Sequence, residues 1–321
     1  MKSRRIQLAL LVFLLAVLGF VLVRRQAILD WASLYGYTPP SVVSQLASDD
    51  TMTPAAKHLL YVNHPVVTDT STFTAHCPAG SEKTVVLGCY LSPDKGIYVY
   101  AVSDARLDGV EQVTAAHEML HAAYRRLSDS ERQKVDAMLT DYYEHGLTDQ
   151  RIKDTIEAYR QSEPHDVVNE MHSVFGTEVA DLPAPLEQYY RRYFTDRSKV
   201  TGYTAKYQAE FTSRRDQVTA YDAQLKDLKT QIDTNSTQID QQHKALDAQH
   251  SQLEAYRASG QTDAYNQGVA SYNQAVDSYN GLLAETKSMI NRYNDIVTER
   301  NAIALEEQQL TKELSASALP N

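Results

Sequence analysis

Cysteine is almost missing from this sequence. Cys77 and Cys89 are the whole complement of a 321-residue chain, with eleven residues between them. Two cysteines are too few for a structural zinc site, which needs four ligands. Outside the cytoplasm such a pair reads as a disulfide. An excess of positive charge is missing too. The net charge is −10, so a broad basic face for nucleic acid is excluded as a main feature. The sequence holds no P-loop and no GxGxxG, and nothing in it points to nucleotide chemistry. Long apolar runs are absent with one exception.

That exception is at the N-terminus. From Leu8 to Val23 sixteen consecutive residues are apolar or Gly, and Ile6 and Gln7 extend the stretch to 18. At ~1.5 Å per residue an 18-residue helix is ~27 Å long, just enough to span a bilayer core. Lys2, Arg4, Arg5 and the amino terminus precede the run, and Arg24 and Arg25 follow it. This bias predicts a single-pass anchor with its N-terminus in the cytoplasm and the bulk of the chain extracytoplasmic, at the cell membrane. Val21 to Arg25 are all bulky, so no small-x-small cleavage signal ends the run.

Four regions are expected. Residues 1–25 form the transmembrane anchor and residues 26–55 a juxtamembrane linker broken at Pro39-Pro40. Residues 56–199 form an α+β domain, a small β-hairpin or sheet plus helices. Residues 200–321 form a long antiparallel helical coiled-coil hairpin. In the α+β part, "LLYVNHPVV", "KTVVLGCYL" and "KGIYVYAVSD" read as strands. Pro93 to Gly96 is a turn signal that makes the last two a hairpin. Ile97, Val99 and Ala101 share a face of the third. Asp108 to Glu111 has the form of a capping box, and Ser128 to Glu131 is a second. Helices are predicted to start at each, with more near 149–161, 165–175 and 184–195. Gly176 is expected to cap the middle one.

The last third carries a seven-residue repeat. Val218, Leu225, Ile232, Ile239, Leu246 and Leu253 are seven apart, with Tyr221, Leu228, Asn235, Gln242, Gln249 and Tyr256 as companions. After Ser259-Gly260, a second run has Val269, Val276, Leu283, Ile290 and Val297 at one position and Tyr265, Tyr272, Tyr279, Thr286 and Tyr293 at the other. Sustained heptads on either side of a break predict two antiparallel helices, each ~75 Å long for ~50 residues. Polar seam residues weaken such a pair and set its register. Residues 201–321 carry 11 basic and 16 acidic side chains, a solvated surface that suggests no anionic partner. The hairpin is suited to docking a protein partner, to self-association or to restricting access to a cleft.

The residues that carry chemistry lie in "VTAAHEMLHAAY", Val113 to Tyr124. Val110, Val113, Ala116, Leu120, Ala123 and Leu127 follow at helical spacing. Positions i and i+4 share a helix face, so His117 and His121 can offer two imidazoles to one metal ion. Glu118 can reach a water on that ion and take its proton as the water attacks a carbonyl. Neutral imidazoles suit Zn²⁺, and catalytic zinc takes three protein ligands. Downstream candidates for the third are Glu163, His165, Asp166, Glu170, His172 and Glu178.

"NEMHSVFGTE", Asn169 to Glu178, stands out among them. Its Asn-Glu-x-x-Ser resembles the second motif of thermolysin-like gluzincins. The chain from about residue 60 to 195 therefore resembles a compact, membrane-anchored gluzincin-type zinc metallopeptidase, on two short motifs. The resemblance implies His117, His121 and Glu170 as zinc ligands and Glu118 as general base. Glu163, His172 and Glu178 stay open as alternatives to Glu170. The spacing from His121 to Glu170 is longer than in thermolysin-like enzymes, the insert being the helical stretch 128–161. The metzincin pattern fails because Tyr124 and Leu127 stand at its Gly and third His positions. A transition-state donor is implied from among His165, His172, Tyr189, Tyr190 and Tyr193. By the same resemblance the strand at Lys95–Asp104 is an edge that pairs with an extended peptide. His58, His64, His76 and His145 read as surface residues. The implied activity is a zinc-dependent peptidase acting on peptides or proteins at the extracytoplasmic face. The competing reading is an envelope coiled-coil scaffold with a structural or vestigial zinc site.

Overall fold

The computed structural model describes residues 2–77, 87–91, 96–162 and 164–314. The chain divides into two compact units. The first is Met1–Glu210 together with Leu310–Asn321, and the second is Phe211–Gln309.

The first unit is mainly helical around a small sheet. Helix α1 is Lys2–Leu34, α2 Ser41–Asp49 and α3 Pro54–Tyr61. Strand β1 is Val66–Thr68, α4 Thr70–His76, β2 Gly88–Leu91 and β3 Gly96–Tyr100. Helix α5 is Val110–Arg125, α6 Asp129–Asp141, α7 Gln150–Ser162, α8 Val167–Glu178 and α9 Ala184–Tyr190. The sheet order is β1-β3-β2, with β1 parallel to β3 and β2 antiparallel to it. The central strand is β3, so Gly96–Tyr100 is paired on both sides. The edge expected at Lys95–Asp104 is therefore not there, and among the described residues the outer strands are β1 and β2.

Strands β1 and β3 are shorter than their apolar composition suggests, and residues 83–86 of the expected middle strand lie outside the described residues. Leu59 to Tyr61 belong to α3, because Pro54 and the Thr53 side chain, which accepts from Ala56 N, start a helix there. Ile97 and Val99 enter the core while Ala101 is exposed, since β3 ends at Tyr100. Leu91 pairs with Gly96, as the hairpin requires, and its turn at 92–95 lies outside the described residues. The disulfide Cys77–Cys89 ties the end of α4 to β2, with a Cα–Cα distance of 6.0 Å.

The stretch expected as a linker packs into the core instead. Val43, Leu46 and Ala47 of α2, with Met52, join Leu60, Val99, Leu120 and Phe175 in one apolar cluster. Asp108 does not cap α5. Gly109 does, at φ 105°, and the Glu111 carboxylate accepts from Val102 N. The Ser128–Glu131 capping box is present. Gly176 lies inside α8 rather than at its end. A Cβ there would come within 2.4 Å of Leu120 Cδ1 and 2.8 Å of Tyr190 Cε1, so glycine lets α8 approach α5 closely.

Among the described residues no helix is long and apolar enough to cross a membrane. Within the run Leu8–Val23, the side chains at 8–10, 12–17 and 22 lie outside the described residues.

The second unit is a helical hairpin made from most of α10, Arg197–Ala258, and most of α11, Thr262–Glu313. Gly260 at φ 72° makes the turn. Contacts run antiparallel: Tyr221 to Glu299, Asp222 to Arg300, Asn235 to Met289 and Leu253 to Gly268. The expected seam of α10 is fully borne out, with every heptad position from Val218 to Tyr256 buried or half-buried. On α11 the tyrosine position holds, and of the aliphatic position Val269, Val276 and Val297 are half-buried while Leu283 and Ile290 are not. Gly268, Ala275, Leu282, Met289 and Ile296 face inward, and Leu283 and Ile290 are 38% and 43% exposed. Both stripes alternate with the tyrosines at spacings of three and four, so periodicity permits either. A Cβ on Gly268 would lie 2.6 Å from Leu253 Cδ2. The bulk of Leu253 thus selects the stripe with glycine at that end.

Candidate metal centre

Helix α5 is buried along most of its length, and its small residues Ala115, Ala116, Ala122 and Ala123 allow neighbours to approach its backbone. Helix α8 lies against it, buried from Asn169 to Thr177. The packing brings one carboxylate to the two imidazoles. His117 Nε2 is 3.6 Å from Glu170 Oε2, and His121 Nε2 is 3.5 Å from Glu170 Oε1. One ligand atom from each residue lies within 4.8 Å of the others.

Two imidazoles and a carboxylate are a donor set that could hold a metal ion, zinc among them. The two N–O separations, each to a different oxygen of Glu170, are too long for good hydrogen bonds. Glu170 Oε2 is buried with no hydrogen-bond partner, the state of a carboxylate shaped to hold a cation. Burial pushes the Glu170 carboxyl up, but His121 and His117 outweigh it and hold the group below its usual range.

Glu118 is buried beside the backbone of β2. A Cβ on Gly88 would stand 2.6 Å from Glu118 Oε1 and 2.6 Å from Thr114 Cγ2. Gly88 thus lets the strand touch the carboxylate, a role that the sequence reading missed. A glycine inside a β-rich run was the available signal, since it marks close backbone approach.

The other candidates are engaged elsewhere. Glu178 pairs with Arg151 at the end of α8. Asp166 accepts from Asn169 Nδ2, and His165 is exposed in the turn before α8. Glu163 lies outside the described residues. His172 is fully buried, with Nε2 2.8 Å from Tyr189 Oη. Burial first, then His121 and His117, pull its pKa down to about 3, so the ring is neutral. Tyr189 also meets Tyr193 at 3.2 Å, and Tyr190 donates to the His172 carbonyl at 2.7 Å. These three tyrosines and His172 form one buried cluster.

No family model matches the chain, and no curated protein or solved structure matches it either.

Proposed function

We propose that the chain is a membrane-anchored, zinc-dependent peptidase of gluzincin type, acting on peptides or proteins at the extracytoplasmic face. The observation that supports it is the convergence of His117, His121 and Glu170 from two helices, with Glu118 next to the first. His117, His121 and Glu170 would hold the ion. When bound, zinc supplies Lewis-acid polarisation of a carbonyl and a nucleophilic hydroxide near neutral pH.

The chain's own residues divide the remaining work. Glu118 takes the proton from the attacking water and delivers it to the leaving amine. Its position is set by the helix on one side and by Gly88 on the other. The disulfide fits an oxidising compartment, in accord with an extracytoplasmic location. The apolar run Leu8–Val23 is the anchor, with the N-terminus in the cytoplasm. The helical hairpin serves a protein partner or a second copy.

Glu118→Gln tests the reading against the scaffold alternative. The variant keeps zinc and fold and loses hydrolysis by about 10²–10⁴-fold, the usual contribution of a general base. Undiminished hydrolysis by this variant would sink the mechanism. One zinc per wild-type chain, lost in His117→Ala, is the accompanying expectation by metal analysis.

A further inference from the structure

Among the described residues, only one of two faces near the end of helix α1 meets another part of the protein. Asp30 and Ser33, three apart, make the docked face of the helix, and Tyr37, past its end at Leu34, adds a contact of its own. Asp30 takes a two-pronged contact from Arg126, at 2.8 and 2.9 Å, and meets His58 Nε2 at 2.9 Å. Burial raises the Asp30 carboxyl, but Arg126, His58 and Gln26 outweigh it and hold it ionised. Ser33 Oγ donates to the Val62 carbonyl at 2.9 Å, and Tyr37 stacks on His64 at 4.2 Å. Arg126 immediately follows α5, so this end of α1 is fastened to the helix that carries His117 and His121.

Arg24, Ile28 and Trp31 are spaced four and three apart on the helix, with Tyr35 just past its end, and Ile28 and Trp31 each precede a docked residue by two. At ~100° per residue that displacement is ~200°, so this stripe faces away from the docked one. Ile28 is exposed, Trp31 is 67% exposed and Tyr35 78%. The Trp31 and Tyr35 rings are 5.5 Å apart. The stripe continues the helix that begins with the apolar run, and Arg24 lies between them.

We propose that this stripe is a lipid-contacting face that lies in the headgroup layer of a bilayer. The inference rests on the membrane part of the proposed function. Trp and Tyr prefer that layer because one end of each ring is apolar and the other takes water or headgroup hydrogen bonds. Trp31 is eight residues past Val23, ~12 Å along the axis. Helical side chains lean toward the N-terminus, here back toward the apolar run, which lowers the indole into the layer. A tilt toward this side, within the ordinary range for such helices, brings Tyr35 down as well. Arg24 extends to the phosphates. Because the opposite stripe is fastened through Arg126 to α5, lipid contact here sets the orientation of the site toward the membrane.

Trp31 is the chain's one tryptophan, so its fluorescence reports on this face alone. The full chain is reconstituted into phosphatidylcholine–phosphatidylglycerol vesicles, plain or brominated at shallow or deep acyl positions. The expected result is co-flotation, emission at shorter wavelength than a water-exposed indole, and quenching that is stronger with shallow bromine than with deep. Co-flotation with water-like emission and no bromine quenching overturns the inference and leaves the anchor standing. Failure to float overturns both. Shielding of Trp31 from bromine and from acrylamide together assigns the face to a second protein copy and overturns it as well. Trp31→Phe with Tyr35→Trp moves the probe by one turn on an exposed face, and the same order of quenching is expected there.

Discussion

Two regions of this chain bury polar side chains in helices, and they do so in opposite ways. In α5 and α8 the buried polar groups converge, with His117, His121 and Glu170 meeting at one point. In the hairpin they are strung out, with Asn235, Gln242 and Gln249 at every second turn of one seam. Unpartnered atoms occur in both places, Glu170 Oε2 in the first and Gln242 Oε1 and Gln249 Oε1 in the second. A buried polar atom without a partner costs about 1–3 kcal/mol. Spread along a seam, that cost selects one register over others. Gathered at a point between two histidines and a carboxylate, it makes a place for a cation.

The comparison can be broken most forcefully at its convergent end. Glu170→Ala is expected to weaken zinc binding by more than about 100-fold, beyond the 10–100-fold typical of merely supporting residues. Glu178→Ala, which removes only the partner of Arg151, is expected to keep the metal. Metal analysis of the two variants side by side decides, and the reverse pattern would reassign the third ligand.

Next in size is Gly88→Ala. The added methyl must displace Glu118 or Thr114. Misplacing a catalytic group by about 1 Å costs up to ~10²-fold in rate. We expect kcat to fall by about 10- to 100-fold while metal content and KM change little. An unaltered kcat would mean that β2 does not position Glu118.

At the distributed end, the test is of register. Leu253→Ala removes a buried seam residue and is expected to cost about 2 kcal/mol or more. Leu283→Ala removes a residue just outside the seam and is expected to cost less than about 1 kcal/mol. Amide hydrogen exchange along residues 262–313 reads both, and equal losses would refute the placement of Leu283 outside the seam.

The smallest effect concerns a buried group outside both regions. Asp50, at the end of α2, is buried with neither carboxylate oxygen hydrogen-bonded. Burial, then the neighbouring Asp49, pushes its pKa well above the usual value. The unfolded chain releases this proton near pH 4, whereas the folded chain holds it to higher pH. The unfolded state therefore binds fewer protons in between, and stability falls as pH rises from about 4 through the folded pKa. Asp50→Asn is expected to stabilise the first unit by about 1–2 kcal/mol at pH 7. The gain shrinks toward pH 4. Denaturant midpoints at the two pH values check this, and a gain that is independent of pH would mean that Asp50 is not the cause.

Legibility in the sequence differed between the regions for the same reason that their polar groups differ. The α10 seam was readable residue by residue because a heptad is a local property of one strip of helix. On α11 two apolar stripes lay side by side, and only the bulk of Leu253 against Gly268 chose between them. The Ser128–Glu131 box was readable because all its hydrogen bonds fall within four residues. Asp108 failed as a cap because Gly109 took the left-handed conformation and Glu111 turned to Val102. The strand near Val66 was overextended because Leu59 and Leu60 are apolar for α3 and its core, not for the sheet.

The sequence by itself determined that His117 and His121 share a face with Glu118 beside them, since helix geometry acts over four residues. It also determined the existence of a helical hairpin and the possibility of a Cys77–Cys89 bond. Only the tertiary structure decided that Glu170, rather than His172 or Glu178, stands opposite the two imidazoles. Only it put Gly88 against Glu118, made β3 a central strand and turned Trp31 away from the protein. Each of these depends on how close two elements separated in sequence approach, which is set by side-chain volume at their contact and has no period to be read along the chain.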